Sequence, residues 1–465
     1  MLIVAAFWPV VSGRRTFFHL DLRYEHLPVW DATQRALRSG ESPFWLDGEF
    51  CGHPLLFTQE APVFYPLTVP LLLTGAPVHR LADLFSLFHL WLAGFAAFLL
   101  LEELGTDRLS ALFGGVAWML SARLLQSTIW PNQVAVLALL PILLQGIARI
   151  AKGGSRSGVI LAAVAGALAL MASRPQALLA AAPLFFATTA ALLWRAPRRG
   201  QAAANLGLAA ILALALGAPA LFPSAALYPE MSRASGLSRS ERDINPIGVG
   251  SGLGMVFLPV DGAPRWPEAA AYPGVAAGLL FALGIALVLR GDRTLRRGLF
   301  LAFLVGGAVG LLFAFGEAGP YRVFADLPLI RGFRVPARYL VSWSLALALG
   351  SALVLARLLP RFSRPVLVGG AALLFLAADL SWHALRAAPT SSSELDSVEP
   401  DIVKALRGEL GMDEVGFPRR FWPLARKIRL TAYPDSARVA VARRFAACGF
   451  QRVRTVSSSN TTRRG

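Results

Sequence analysis

The sequence predicts an all-α, polytopic membrane helix bundle, and three observations predict it. Of 465 residues, 55% are hydrophobic and only 16% charged, where a soluble domain carries about a quarter. The missing charge is concentrated in long apolar runs, among them 87–101, 159–173 and 299–315. These runs reach or approach the roughly 20 residues that cross a bilayer as a helix. Lipid offers backbone N–H and C=O groups no partner, so helices are the expected spanning form.

In chain order, about eleven segments read as crossings by length and apolarity. They are 1–11, 81–101, 111–127, 133–150, 159–173, 177–194, 202–222, 272–289, 299–315, 339–356 and 365–382. The first is too short to span as written and lacks the basic leader and small-residue cleavage site of a signal peptide. The stretch 61–76 is apolar but interrupted by Pro62, Pro66 and Pro70, and reads as re-entrant or interfacial. A transmembrane domain over 1–385 is expected, with external loops 12–60, 223–271 and 316–338, then a short extracytoplasmic tail over 386–465.

Orientation follows from charge. Arg149, Lys152 and Arg156 form one basic cluster, and Arg195, Arg198 and Arg199 a second. Arg290, Arg293, Arg296 and Arg297 form a third, and Arg357, Arg361 and Arg364 a fourth. Eleven crossings put all four on one side, the cytoplasmic side by the positive-inside rule. The net acidic loop Glu102, Glu103, Asp107, Arg108 must share that side, against the trend. The net charge of +17 would suggest nucleic acid in a soluble protein. Here the basic loops and an Arg-rich tail account for it, and no nucleic-acid partner is expected; the partner is the bilayer. Cys51 and Cys448 are far apart and match no metal-binding spacing.

The first external loop carries the candidate chemistry. It contains Asp21, Tyr24, Glu25, Pro28, Trp30 and Asp31, then Gly40 with Pro43-Phe-Trp45, Gly52-His53-Pro54, Gln59-Glu60 and Phe64-Tyr65-Pro66. A carboxylate at the water interface, one turn beyond a membrane helix, is placed to be desolvated and act as a base. On a helix, Asp21 and Glu25 share a face, whereas Asp31 lies about 80° away. Tyr24, Trp30 and Trp45 suit stacking on sugar rings or an interfacial aromatic belt. His19, His26 and His53 share the loop without a recognised metal spacing, so no protein-bound zinc is expected. Arg123, Arg174 and Asp379 fall within apolar segments, and such groups face the bundle interior or snorkel to the interface. The glycines of 248–254 match no phosphate-binding loop.

The order of these elements resembles the bacterial YfhO-type membrane protein family, within the wider GT-C-fold glycosyltransferases. That family carries a D…Y…P stretch, a G…P-[FL]-W motif, a G-x-P motif and an aromatic-Tyr-Pro motif after its first helix. The stretch Phe333-Arg334-Val-Pro336-Ala-Arg338 is similar to the family's F-R-x-P-x-R, and Tyr272-Pro273-Gly274 also fits. The resemblance covers about 5–386, and departs from the family in the short first helix and the tail. It implies a GT-C-like fold and transfer of a sugar from a polyprenyl-phosphate donor to a cell-envelope polymer or lipid, outside a bacterial plasma membrane. On that reading Asp21 is the base, and Glu25 or Asp31 assists it or holds a divalent metal ion. Tyr24, Trp45, Gln59 and Tyr65 bind substrate, and Arg334 and Arg338 pair with the lipid phosphate. The alternatives are a non-enzymatic transporter or flippase of isoprenoid-linked precursors, or a truncated inactive homologue.

Overall fold

The computed structural model describes residues 1–19, 21–46, 53–55, 60–153, 155–172, 175–230, 234–247, 267–292, 295–328, 330–388 and 390–392. Gln59, Cys51, Cys448, Arg174, Arg293, the glycine-rich 248–254 and the tail beyond 392 lie outside the described residues. The longer helices are α1 (Leu27–Ser39), α2 (Val78–Glu103), α3 (Arg108–Met119), α4 (Pro131–Gly153), α5 (Arg156–Met171), α6 (Pro175–Trp194), α7 (Arg199–Leu227), α8 (Val275–Leu289), α9 (Arg297–Phe313), α10 (Leu340–Leu358) and α11 (Pro365–Ala387). Strands β1 (Arg15–Phe17), β2 (Trp45–Leu46), β3 (His53–Pro54) and β4 (Thr390–Ser392) are short. The chain is an all-helical polytopic bundle. Among the described residues, seven helices are long and apolar enough to cross a membrane, and three shorter apolar helices pack with them.

These ten helices correspond to ten of the eleven expected crossings. The other, 1–11, is two short helices, Leu2–Ala6 and Trp8–Val11, separated at Phe7. The proline-interrupted stretch does not cross: its one helix, Thr68–Leu73, has six residues. One expected crossing, 111–127, is also bent. Helix α3 ends at Met119, Ser121 caps a second helix, Ala122–Gln126, and a 3-10 turn over Ser127–Ile129 leads to Trp130. Proline at the start of α4 suits a helix N-terminus, where its missing N–H costs nothing.

Helix α10 is the hub, buried continuously from Leu340 to Leu355. Its small and hydroxyl residues let neighbours approach closely, as small-residue interfaces do in lipid. A Cβ on Gly310 of α9 would lie 2.6 Å from the Ser342 Cβ, and one on Gly114 of α3 2.9 Å from the Ala352 Cβ. Helices α7 and α11 lie at the rim, with Ile211, Phe222, Leu374 and Phe375 exposed. Such a surface is a liability in water and ordinary against lipid.

The basic loops converge at one end of the bundle, and the acidic loop belongs there as their counter-charge. Glu103 accepts from Arg149 Nε at 2.8 Å and Lys152 Nζ at 2.7 Å. Arg296 donates to the Gly105 carbonyl at 2.7 Å. Asp292 pairs with Arg357 at 3.2 Å and Arg361 at 3.6 Å. The departure from the charge trend is therefore a set of ion pairs between neighbouring helix ends.

At the other end, β1 pairs antiparallel with β4, Arg15 opposite Ser392 and Phe17 opposite Thr390. Arg15 adds bonds to the Thr390 hydroxyl and carbonyl at 2.9 and 2.8 Å. The start of the first loop is pinned to α2 by the buried Asp83 carboxylate. That carboxylate accepts from the Thr16 hydroxyl at 3.0 Å, the Phe17 N–H at 2.9 Å and Arg80 at 3.1 Å.

Candidate functional site

The end of the bundle opposite the basic loops brings two distant parts of the chain onto one indole. Trp130, in the turn before α4, donates its Nε1–H to the Asp21 carboxylate at 3.0 Å. The Arg338 guanidinium lies over the same ring, 6.0 Å from its centroid. Asp21 and Arg338 thus occupy the edge and the face of a single side chain. His19 flanks the pair, its ring centroid 6.3 Å from that of Trp130 and its Nδ1 3.8 Å from Asp21 Oδ1.

Local geometry explains how Asp21 is presented. It precedes a π-helical turn, Leu22–His26, which continues into α1. Such turns are rare and concentrate at functional sites. Leu22 and His26 point inward and are buried, leaving Asp21 part-buried and Tyr24 and Glu25 outward. Asp21 thus has one oxygen on Trp130 and retains access to solvent.

Arg338 is anchored by a buried polar network. It donates to Glu268 Oε1 at 3.2 Å and to the Gln176 side-chain oxygen, and the Gln176 amide in turn donates to the Arg334 carbonyl. Glu268, just before α8, is 5% exposed. Arg123 completes the group from behind. It is 1% exposed and donates to the Glu268 carbonyl at 2.5 Å and the Ser127 hydroxyl at 3.3 Å. It therefore faces the bundle interior rather than snorkelling to the interface. The charges bearing on Arg338 are those of Glu268, Arg334 and Asp21. Three arginines thus meet two carboxylates, leaving an excess of one positive charge. The Nε atoms of Arg123 and Arg338 are buried without a hydrogen-bond partner.

Arg334 itself is exposed. Between the two arginines, Val335 has φ +65°, a left-handed conformation in which a β-branched residue is strained by about 1–3 kcal/mol. Its N–H donates to the Arg242 carbonyl at 3.2 Å, and its carbonyl accepts from the Arg338 N–H at 3.1 Å. The loops 223–271 and 316–338 hold this strained corner together. Arg242, 4% exposed, pairs with Asp326 at 2.6 Å, and Leu237 N–H donates to the Arg331 carbonyl at 3.0 Å.

The other expected site residues differ in their surroundings. Asp31 is held by Arg35 one turn along α1. Glu25 is solvent-facing. Tyr24 and Trp45 are about half exposed, at 51% and 53%, and so keep faces free for stacking. Trp30 is fully buried instead, edge-on to Phe85 at 5.5 Å, with its indole N–H on the Glu60 carbonyl at 3.0 Å.

Tyr65 is also core. It is 5% exposed, and its hydroxyl lies 2.7 Å from His89 Nε2. His89 Nδ1 lies 2.7 Å from the Phe85 carbonyl, which only accepts, so Nδ1 carries the proton and Nε2 accepts from Tyr65. Burial pushes the phenol well above its ordinary pKa, so it remains a neutral donor. Tyr65→Phe is expected to destabilise the protein by about 1–3 kcal/mol by orphaning a buried imidazole nitrogen. Thermal unfolding in detergent measures this, and an unchanged midpoint would count against the bond.

Among the described residues, no group of three or more His, Cys, Asp or Glu side chains could hold a metal ion. Of the two carboxylates expected beside Asp21, Asp31 is engaged by Arg35.

Sequence reasoning missed Trp130, Glu268 and Gln176. One signal pointed toward them: Arg123 in an apolar segment requires a buried partner, and Glu268 is the last acid before α8.

No protein-family model matches the chain, and no curated protein matches it. Among solved structures, the apo form of an oligosaccharyltransferase from Archaeoglobus fulgidus is similar at 13% identity with a TM-score of 0.44, over 90% of this chain and 59% of that one. The chain thus spans less than two thirds of that protein's length.

Proposed function

We propose that the chain is a GT-C-type membrane glycosyltransferase. It would move a sugar from a polyprenyl-phosphate donor to a cell-envelope polymer or lipid, on the extracytoplasmic face of a bacterial plasma membrane. The observation that carries the reading is the meeting of Asp21 and Arg338 on Trp130, at the end away from the basic loops. The YfhO-type resemblance of the two segments supplying these residues adds support.

The chemistry divides between the two sides of the indole. The acceptor hydroxyl attacks the anomeric carbon as the bond from that carbon to the phosphate oxygen breaks. Asp21 takes the hydroxyl proton. The leaving lipid phosphate carries away the bonding pair, and arginine suits it because a planar guanidinium matches phosphate oxygens. Arg338 and Arg334 take this role, and the excess positive charge of the network favours an anion there. Glu268 and Gln176 position Arg338. Tyr24 and Trp45 offer exposed rings to sugar. By resemblance alone Gln59 joins them, and Glu25 is a nearby assisting carboxylate.

The test incubates membranes containing the protein with a labelled polyprenyl-phosphate sugar and follows the label into lipid and polymer fractions. Labelled product above protein-free membranes is expected. If no product forms while the labelled precursor crosses vesicles containing the protein, the transporter reading replaces this one.

A further inference from the structure

At the basic end of the bundle, opposite the Asp21 site, lies a cavity of about 570 Å³. Its floor and one wall are apolar, formed by Leu109 of α3, Leu353 of α10 and Val366 of α11. Its polar rim is Thr106, Asp107, Arg296 and Arg357. Leu353 is buried, whereas Val366 is 70% exposed, so the apolar wall runs from the core to the outer surface of the bundle.

The rim is positively charged. Arg357 shares Asp292 with Arg361, and Arg296 spends a donor on the Gly105 carbonyl, an uncharged partner. Asp107 lines the cavity too, but one of its oxygens caps α3 by accepting from the Ser110 N–H at 3.0 Å. Counting Arg296, Arg357 and Arg361 against Asp107 and Asp292 leaves one positive charge. Two rim residues also retain unused hydrogen-bonding atoms, Thr106 Oγ1 and Arg357 Nε.

We infer that this cavity binds an anionic phospholipid, its phosphodiester on the Arg296–Arg357 rim and an acyl chain along the Leu109–Val366 wall. A phosphodiester carries a single negative charge, matching the excess on the rim. Basic clusters at the cytoplasmic ends of membrane helices attract anionic head groups in this way, each arginine contributing about fivefold in binding. A free phosphate ester would satisfy the rim and leave the apolar wall empty.

Full-length protein in detergent is titrated with phosphatidylglycerol, phosphatidylcholine or soluble glycerol 3-phosphate. Binding is read by native mass spectrometry and by the thermal midpoint. Phosphatidylglycerol is expected to bind about tenfold more tightly than phosphatidylcholine and to raise the midpoint, with glycerol 3-phosphate much weaker. Arg296→Gln should reduce that preference about fivefold. Leu109→Trp, which fills the wall without altering charge, should abolish lipid retention even if Arg296→Gln folds poorly. Equal binding of the two lipids, or Leu109→Trp retaining phosphatidylglycerol like the parent, overturns the proposal. Glycerol 3-phosphate binding as tightly as the lipid overturns the lipid as ligand.

Discussion

Arg338→Met is expected to lower stability by about 3–5 kcal/mol, the usual consequence of removing one partner of a buried ion pair. Glu268 is almost fully enclosed, and Arg338 supplies its side-chain ion pair at 3.2 Å. Without it, the carboxylate stays buried with only the more distant field of Arg123 to offset desolvation, and the Gln176 oxygen loses its donor. The double variant Arg338→Met/Glu268→Gln removes both charges together and should recover most of the loss, because desolvation of an unpaired charge is the dominant cost. Arg338→Lys keeps the charge but not the fork that reaches Glu268 and Gln176 at once. It should therefore fold nearly as well as the parent, yet transfer poorly. Unfolding in detergent across the three variants checks this. A double variant no more stable than Arg338→Met would show that the two residues are not coupled.

Asp21→Asn separates chemistry from folding. The asparagine carbonyl can still accept the Trp130 indole N–H, so stability should change by less than about 1 kcal/mol. Sugar transfer should fall by about 10²- to 10⁴-fold, the usual contribution of a positioned general base. Asp31→Asn is the matched control. Its carboxylate is engaged by Arg35 on the same helix, an arrangement worth only about 0.3–0.5 kcal/mol, and transfer should persist near the parent level. Undiminished transfer by a stably inserted Asp21→Asn protein removes Asp21 from the base role. Loss in both variants would mean that the loop as a whole, rather than one carboxylate, is required.

Much of the architecture was legible because lipid imposes a simple rule on the backbone. An apolar run of sufficient length must be a helix, and ten of the eleven expected crossings are helices. The bend at Met119–Ser121 was not legible, because a single serine with apolar residues on both sides is common within a continuous helix. The acidic loop around Glu103 was legible only as an exception to the charge trend, since its partners Arg149 and Lys152 lie on a different helix. Among the aromatics, composition could not separate the exposed Tyr24 and Trp45 from the buried Trp30 and Tyr65. All are common at membrane interfaces, and only packing against Phe85 and His89 tells them apart.

The sequence by itself determined that this chain is a polytopic helical bundle, and it marked the loops 12–60 and 316–338 as carriers of acids and arginines. Hydropathy and charge are local properties, and a run of residues declares them without its neighbours. The tertiary structure decided that Asp21 and Arg338, more than 300 residues apart in sequence, share Trp130. It also decided that Arg123 and Glu268 lie behind them and that Asp31 is neutralised by its own helix. Those outcomes depend on which helix ends converge, and convergence is set by small-residue packing around α10 rather than by any single segment.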